Sequence, residues 1–267
     1  MTVKAGLTQI IVPENCKTFL DIAKNTGYDC VELLLKQKEG YIHPGSTDEE
    51  IREVRAYAES LGLDIVSTCI GRGSYNLLDS GEIQEKGIQE AIEGLKVTAK
   101  LGAKVMLHTL GSFSPDLYYE DAYSNAVKSL KEIAKGAEEA GCALAVEMVW
   151  NGFLFSPLEM RNLIDEVGSE YIGFYFDPGN MAVFQYPQHW VRALGKRTKM
   201  VHMKDYKGGP LNGKWTALLD GGVNFQAVMK ELKAAGVPPV FISEVDNSLD
   251  SFEHTAKKIK EIALFYA

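Results

Sequence analysis

Four side chains able to bind a metal ion, Glu147, Asp177, His202 and Glu244, stand at or near the ends of short apolar runs: Val146-Glu147-Met148, Phe176-Asp177-Pro178, Val201-His202-Met203 and Ser243-Glu244-Val245. A single polar residue finishing a strand is easily satisfied by backbone or water. Four in succession, of types seldom buried unpaired, call for a common partner. Three carboxylates brought together would repel one another, and a cation removes the conflict. Three oxygen donors and one imidazole make a fairly hard site for one divalent ion, suited to Mn²⁺, Mg²⁺ or Co²⁺ and tolerant of Zn²⁺. Without thiolates it is not a closed structural zinc site. Its open coordination positions imply a substrate with adjacent carbonyl and hydroxyl oxygens. The ion would acidify the neighbouring C–H and stabilise an enediolate. Glu147 and Glu244, at the two ends of the ligand series, are the expected catalytic pair, one removing a proton and the other returning one.

These residues can meet only if the elements carrying them are neighbours. Eight apolar runs read as strands: Ala5 to Val12, Cys30 to Leu35, Asp64 to Ile70, Lys104 to Leu110, Ala143 to Val149, Ile172 to Asp177, Lys199 to Asp205 and Val240 to Asp246. Helical spacing follows each, over Glu14 to Lys24, from the Thr47/Glu50 capping box to Leu61-Gly62, and over Glu82 to Leu101 and Asp116 to Ala140. It continues over Pro157 to Val167, Pro187 to Leu194, Phe225 to Ala235 and Leu249 to Phe265. Parallel neighbours need crossovers of this length, and eight strand-helix units of about 33 residues match a single-domain (β/α)8 TIM barrel over residues 1–267. The alternative, an open doubly wound sheet, lacks its Gly-rich turn: the first junction reads Ile11-Val12-Pro13-Glu14. In a barrel the C-terminal strand ends share one mouth. The four donors end consecutive strands, five to eight, at separations of 30, 25 and 42 residues.

A net charge of −8 and a pI near 5.3 disfavour a nucleic-acid groove and favour a small neutral or singly phosphorylated ligand. The 46% hydrophobic and 24% charged content is that of an ordinary globular protein. Cys16, Cys30, Cys69 and Cys142 have no metal-binding spacing and read as buried reduced thiols, hence a reducing compartment. With no leader pattern at Met1 to Ala5 and no apolar run long enough for a membrane, the expected location is cytoplasmic.

His108, near the end of strand four, is expected in the mouth as a substrate or outer-sphere contact. Glu32, inside an apolar run, should point inward to meet substrate hydroxyls or a lysine, or else form a structural ion pair. Trp150, Phe153 and Phe155 could wall a sugar face, and Trp215 could belong to a lid. His43, His189 and His254 read as surface residues. Gly71-Arg72-Gly73 lacks the third glycine and the downstream acid of a dinucleotide site, so no nucleotide cofactor is expected there.

The motifs Val146-Glu147, Asp177-Pro178-Gly179-Asn180, Val201-His202-Met203-Lys204-Asp205, Gly221-Gly222-Val223-Asn224-Phe225 and Ser243-Glu244 resemble the xylose-isomerase-like barrel superfamily over essentially the whole chain. The ketose 3-epimerases and hexulose-phosphate epimerases are the members most resembled. The resemblance implies metal binding by Glu147, Asp177, His202 and Glu244, acid-base action by the two glutamates, a sugar or sugar-phosphate substrate, and a homodimer. It also marks substrate positions. Asn180 stands where free-ketose epimerases carry a histidine, and Gly208 stands where they carry an arginine, leaving Lys207 or Lys214 to replace that contact. The superfamily's apurinic-site endonucleases use three zinc ions. His108 matches one of their ligands, but Ser67-Thr68-Cys69, Asn180 and the absent Asp-x-His cannot supply the rest. A cyclic-polyol dehydratase of the same fold and a non-catalytic sugar-binding barrel are the remaining alternatives.

Overall fold

The apolar runs become eight parallel strands: β1 (Lys4–Thr8), β2 (Cys30–Leu34), β3 (Asp64–Gly71), β4 (Val105–His108), β5 (Ala143–Glu147), β6 (Ile172–Phe176), β7 (Thr198–Met203) and β10 (Val240–Ser243). In the computed structural model, which describes residues 2–266, they close in that order, with β10 returning to β1 through the register Lys4↔Val240 to Leu7↔Ser243. The closed ring excludes the open doubly wound sheet.

Helices α1 (Cys16–Asn25), α2 (Asp48–Ser60), α3 (Gly81–Lys100), α4 (Tyr119–Ala140), α5 (Pro157–Val167), α7 (Pro187–Leu194), α8 (Phe225–Ala235) and α9 (Phe252–Ile262) cover the barrel. Local chemistry sets their starts. Asn15, Ser156, Asn224 and Ser251 accept a backbone N–H of the first turn, and Thr47 with Glu50 completes the capping box. Pro at the first position pre-sets α5 and α7, whose limits match the sequence reading residue for residue.

Except for β3, the strands are shorter than the apolar runs, because their last residues leave the sheet to build the mouth. Gln9–Ile11 winds into a 3₁₀ turn after β1. Asp177 leaves β6 as the N-cap of an unanticipated short helix, α6 (Pro178–Ala182). Beyond β7 the chain forms a hairpin, β8 (Asp205–Lys207) with β9 (Lys214–Thr216). The Asp205 carboxylate anchors it, accepting the backbone N–H groups of Tyr206, Leu219, Gly221 and Val223 at 2.9 to 3.1 Å. A side chain at Gly221 would place its Cβ 2.1 Å from Asp205 Oδ1, so only glycine fits there.

Side-chain alternation splits the core in two. Cys69, Val105, Leu107, Ala145, Tyr175, Met200 and Ile242 fill the barrel interior, while residues such as Leu7, Val31, Leu33, Val146, Phe174 and Val201 pack outward against the helices. All four cysteines are free and buried, as expected. Among the described residues no helix is long and apolar enough to cross a membrane.

Candidate metal centre

The alternation that fills the interior also aims the site. On β7 the inward series runs Met200, His202 and then Lys204 just past the strand. On β10 it runs Ile242 and then Glu244, and on β5 Ala145 and then Glu147. Asp177 follows inward-facing Tyr175 on the same rule. One ligand atom from each of Glu147, Asp177, His202 and Glu244 lies within 4.8 Å of the others, so the structure brings the expected metal set together. Asp177 and His202 are fully buried and Glu147 is 7% exposed.

Two buried atoms at this point have no hydrogen bond: Asp177 Oδ2 and His202 Nδ1. The other atom of each group is already engaged. The backbone N–H of Asn180 donates to Asp177 Oδ1 at 3.1 Å, and His202 Nε2 bonds Glu32 Oε1 at 2.8 Å. With Nε2 engaged by a carboxylate, the imidazole turns Nδ1 toward Glu147 Oε1 (3.6 Å) and Glu244 Oε2 (3.1 Å), and Nδ1 is the nitrogen that would bind an ion once its proton is lost. Three buried carboxylates and a carboxylate-supported histidine converging on one point, with Asp177 Oδ2 and His202 Nδ1 held only by ion-pair contacts, fit a divalent ion.

Charges are unevenly held. Burial, reinforced by Glu244 and Asp177, pushes Glu147 up to about 7 against the pull of His202. Burial also raises Asp177, although Lys204 and His202 oppose it. Burial acts the same way on Glu244, but the Lys204 ammonium and His202 prevail and hold it below the usual carboxylate range. Burial would lower His202; Glu32, Glu147 and Glu244 outweigh it and hold the imidazole well above its ordinary value. Without a metal, therefore, the site keeps its balance with protons and a lysine.

Several expected substrate contacts are placed differently. Glu32 does point inward, yet its carboxylate is fully buried and accepts from Thr8 (2.8 Å), Ser67 (2.8 Å), Tyr175 (2.5 Å) and His202. No lone pair remains for a sugar, and its partner is a histidine rather than a lysine. His108 is expected in the mouth, but alternation turns it outward: Leu107 faces the interior and His108 pairs in register with outward Val146. Its Nδ1 accepts the N–H of Leu110 at 2.8 Å, and the ring lies beside Gly73. Asn180 donates its amide N–H groups to Glu147 Oε1 and the Met148 carbonyl, both at 3.2 Å. Lys207 is exposed on the hairpin, in register with Lys214.

The lysine that reaches the site is Lys204, which the sequence reading did not single out. Its Nζ lies 3.0 Å from Asp177 Oδ2 and 2.9 Å from Glu244 Oε2, and 4.8 Å over the Trp215 ring. Its signal was its position two residues beyond His202, on the same strand face. Trp215 stacks on Trp150 at 5.0 Å and meets Tyr206 edge-on, forming an aromatic roof beside the metal set. Phe153 packs away in the core with Phe113 and Tyr119, and Phe155 meets Phe184, so of the three expected wall residues only Trp150 joins this roof.

Burial drives His108 from its ordinary value of 6.5 down to about 4. The unfolded chain then binds the extra proton between these values, so this contribution to stability is complete above pH 6.5 and is lost as pH falls toward 4. Between pH 7 and pH 4 the wild type should lose about 3 kcal/mol more unfolding free energy than His108→Gln. Denaturant melts of both proteins at the two pH values check this, and equal losses would refute it.

A sequence profile of the family described as xylose isomerase-like TIM barrel matches residues 20–265. Among solved structures, the chain is similar to a D-tagatose 3-epimerase-like protein (18% identity, 98% of each chain covered, TM-score 0.84). It is also similar to D-psicose 3-epimerase with D-tagatose from Clostridium cellulolyticum H10 (15% identity, 98% of this chain and 99% of that one, TM-score 0.82). A third is the IOLI protein with a binding zinc atom (15% identity, 98% of each chain, TM-score 0.78). At these identities the likeness is one of fold. No curated protein matches the sequence.

Proposed function

Because the chain belongs to the xylose isomerase-like TIM barrel family, we propose that it is a divalent-metal-dependent isomerase or epimerase of a ketose or ketose phosphate, working through an enediolate. One observation carries this reading: Glu147, Asp177, His202 and Glu244 converge within 4.8 Å, with two buried ligand atoms left without hydrogen bonds. The similarity to structures of ketose 3-epimerases, and to one holding zinc, supports it.

Glu147, Asp177, His202 and Glu244 would hold Mn²⁺, Mg²⁺ or Co²⁺, with Zn²⁺ also compatible. When bound, such an ion supplies a Lewis acid for the adjacent carbonyl and hydroxyl oxygens of a sugar. The protein's own part is proton handling. Glu147 comes from β5 and Glu244 from the end of β10, so they approach the site from the two sides of the ligand series. One carboxylate removes the proton on the carbon next to the carbonyl, and the other returns a proton at the product position. Glu32 keeps His202 in one tautomer, and Asn180 fixes Glu147 and Asp177. Trp150 and Trp215 limit water access from one side.

The test is incubation with a panel of ketoses and ketose phosphates in D₂O with Mn²⁺. Deuterium should appear in the recovered sugar and its epimer or isomer, and a chelator should stop exchange without unfolding the protein. Loss of water from a cyclic polyol, with no wash-in, would instead establish the dehydratase. Sugar binding that survives chelation, with no turnover, would establish the binding barrel.

A further inference from the structure

The oxygens held by Lys204 are the ones a metal would need. Asp177 has one carboxylate oxygen committed to the backbone N–H of Asn180, so Oδ2 is the atom left for an ion, and Lys204 Nζ sits 3.0 Å from it. Glu244 presents Oε2 to His202 Nδ1 at 3.1 Å, and the same Oε2 is 2.9 Å from Lys204 Nζ. The lysine side chain is only 13% exposed, walled by the Trp215 face and the Asn180 amide oxygen at 3.4 Å.

From this geometry we propose that Lys204 is a built-in counter-cation that competes with the divalent ion for Asp177 and Glu244. Without metal it keeps the two carboxylates close together and discharged. When an ion binds, the ammonium must give up both contacts, so its presence weakens metal affinity and keeps the ion exchangeable. A lysine that served only as an outer anchor for the ligands would do the opposite, since its removal would loosen the site and weaken the metal. The inference rests on the metal-centre reading, but it concerns affinity and needs no substrate.

The experiment is Mn²⁺ titration of the wild type and Lys204→Met by calorimetry at pH 8, with melting curves of both metal-free proteins. Lys204→Met should bind Mn²⁺ on the order of 10- to 100-fold more tightly, because a like charge close to a dication is removed. Its metal-free form should melt lower than the wild type, because two carboxylates have lost their cation. Equal or weaker Mn²⁺ binding by the variant overturns the inference while leaving the metal centre standing. Absence of Mn²⁺ binding by the wild type overturns both. If Lys204→Met does not fold, wild-type protein labelled with ¹⁵N-lysine decides the matter. The Lys204 ammonium should give a slowly exchanging signal in metal-free protein that is lost or shifted on adding Zn²⁺, and an unchanged signal overturns the proposal.

Discussion

Glu147→Gln and Glu244→Gln should each lower deuterium wash-in by about a thousandfold or more at saturating Mn²⁺, since each removes one member of the proposed proton-transfer pair. Glutamine preserves shape and one ligating oxygen, so the loss should fall on turnover more than on folding. The two variants should nevertheless differ in metal-free stability. Glu147 is already pushed up to about 7 by burial, so a neutral amide resembles one of its ordinary states, and Asn180 Nδ2 can still donate to the amide oxygen. Glu244 is held ionised between Lys204 and His202, so Glu244→Gln leaves two partners without their anion. A loss of about 3 kcal/mol is expected there, against a small change at Glu147. Isotope exchange and denaturant melts on the same preparations check both parts. Full wash-in by either variant would remove that residue from the catalytic pair.

The second large effect belongs to a fully buried residue behind His202. Glu32→Gln should weaken Mn²⁺ binding by roughly 10- to 100-fold. The carboxylate engages Nε2 of His202, so that with a metal bound the proton would stay on Nε2 and the Nδ1 lone pair would face the ion. An amide can donate to Nε2 as readily as accept from it. The tautomer with the proton on Nδ1, which cannot bind a metal, then becomes accessible. Thr8, Ser67 and Tyr175 would also lose a charged acceptor in a fully buried setting, so the variant should be less stable. Calorimetric titration with Mn²⁺ measures the first effect, and affinity equal to wild type would show that Glu32 does not set the histidine.

The departures from the sequence reading share a cause. His108 stands near the end of an apolar run, as the four clustered donors do, but it lies one residue from inward-facing Leu107 and so belongs to the opposite face. Lys204 lies inside the Val201-His202-Met203-Lys204-Asp205 motif, and the same alternation, counted from His202, points it into the mouth. Once the barrel is assumed, the facing of both residues follows from counting in twos along the strand. The partners of Glu32 could not be found that way, because they arrive from β1, β3, β6 and β7 at once.

What the amino-acid sequence determined by itself was the number and order of strand-helix units, the capped helix start at Thr47, the Pro-led starts of α5 and α7, and the four strand-end donors. These follow from apolar periodicity and capping, which act over a few neighbouring residues. Only the tertiary structure decided which side chains meet: that Glu32 is sealed beneath His202, that Asn180 is spent on Glu147 and Met148, and that Lys204 lies on the oxygens a metal would use. Those contacts depend on the register of each strand against its neighbour around a closed ring, which no local stretch of chain encodes.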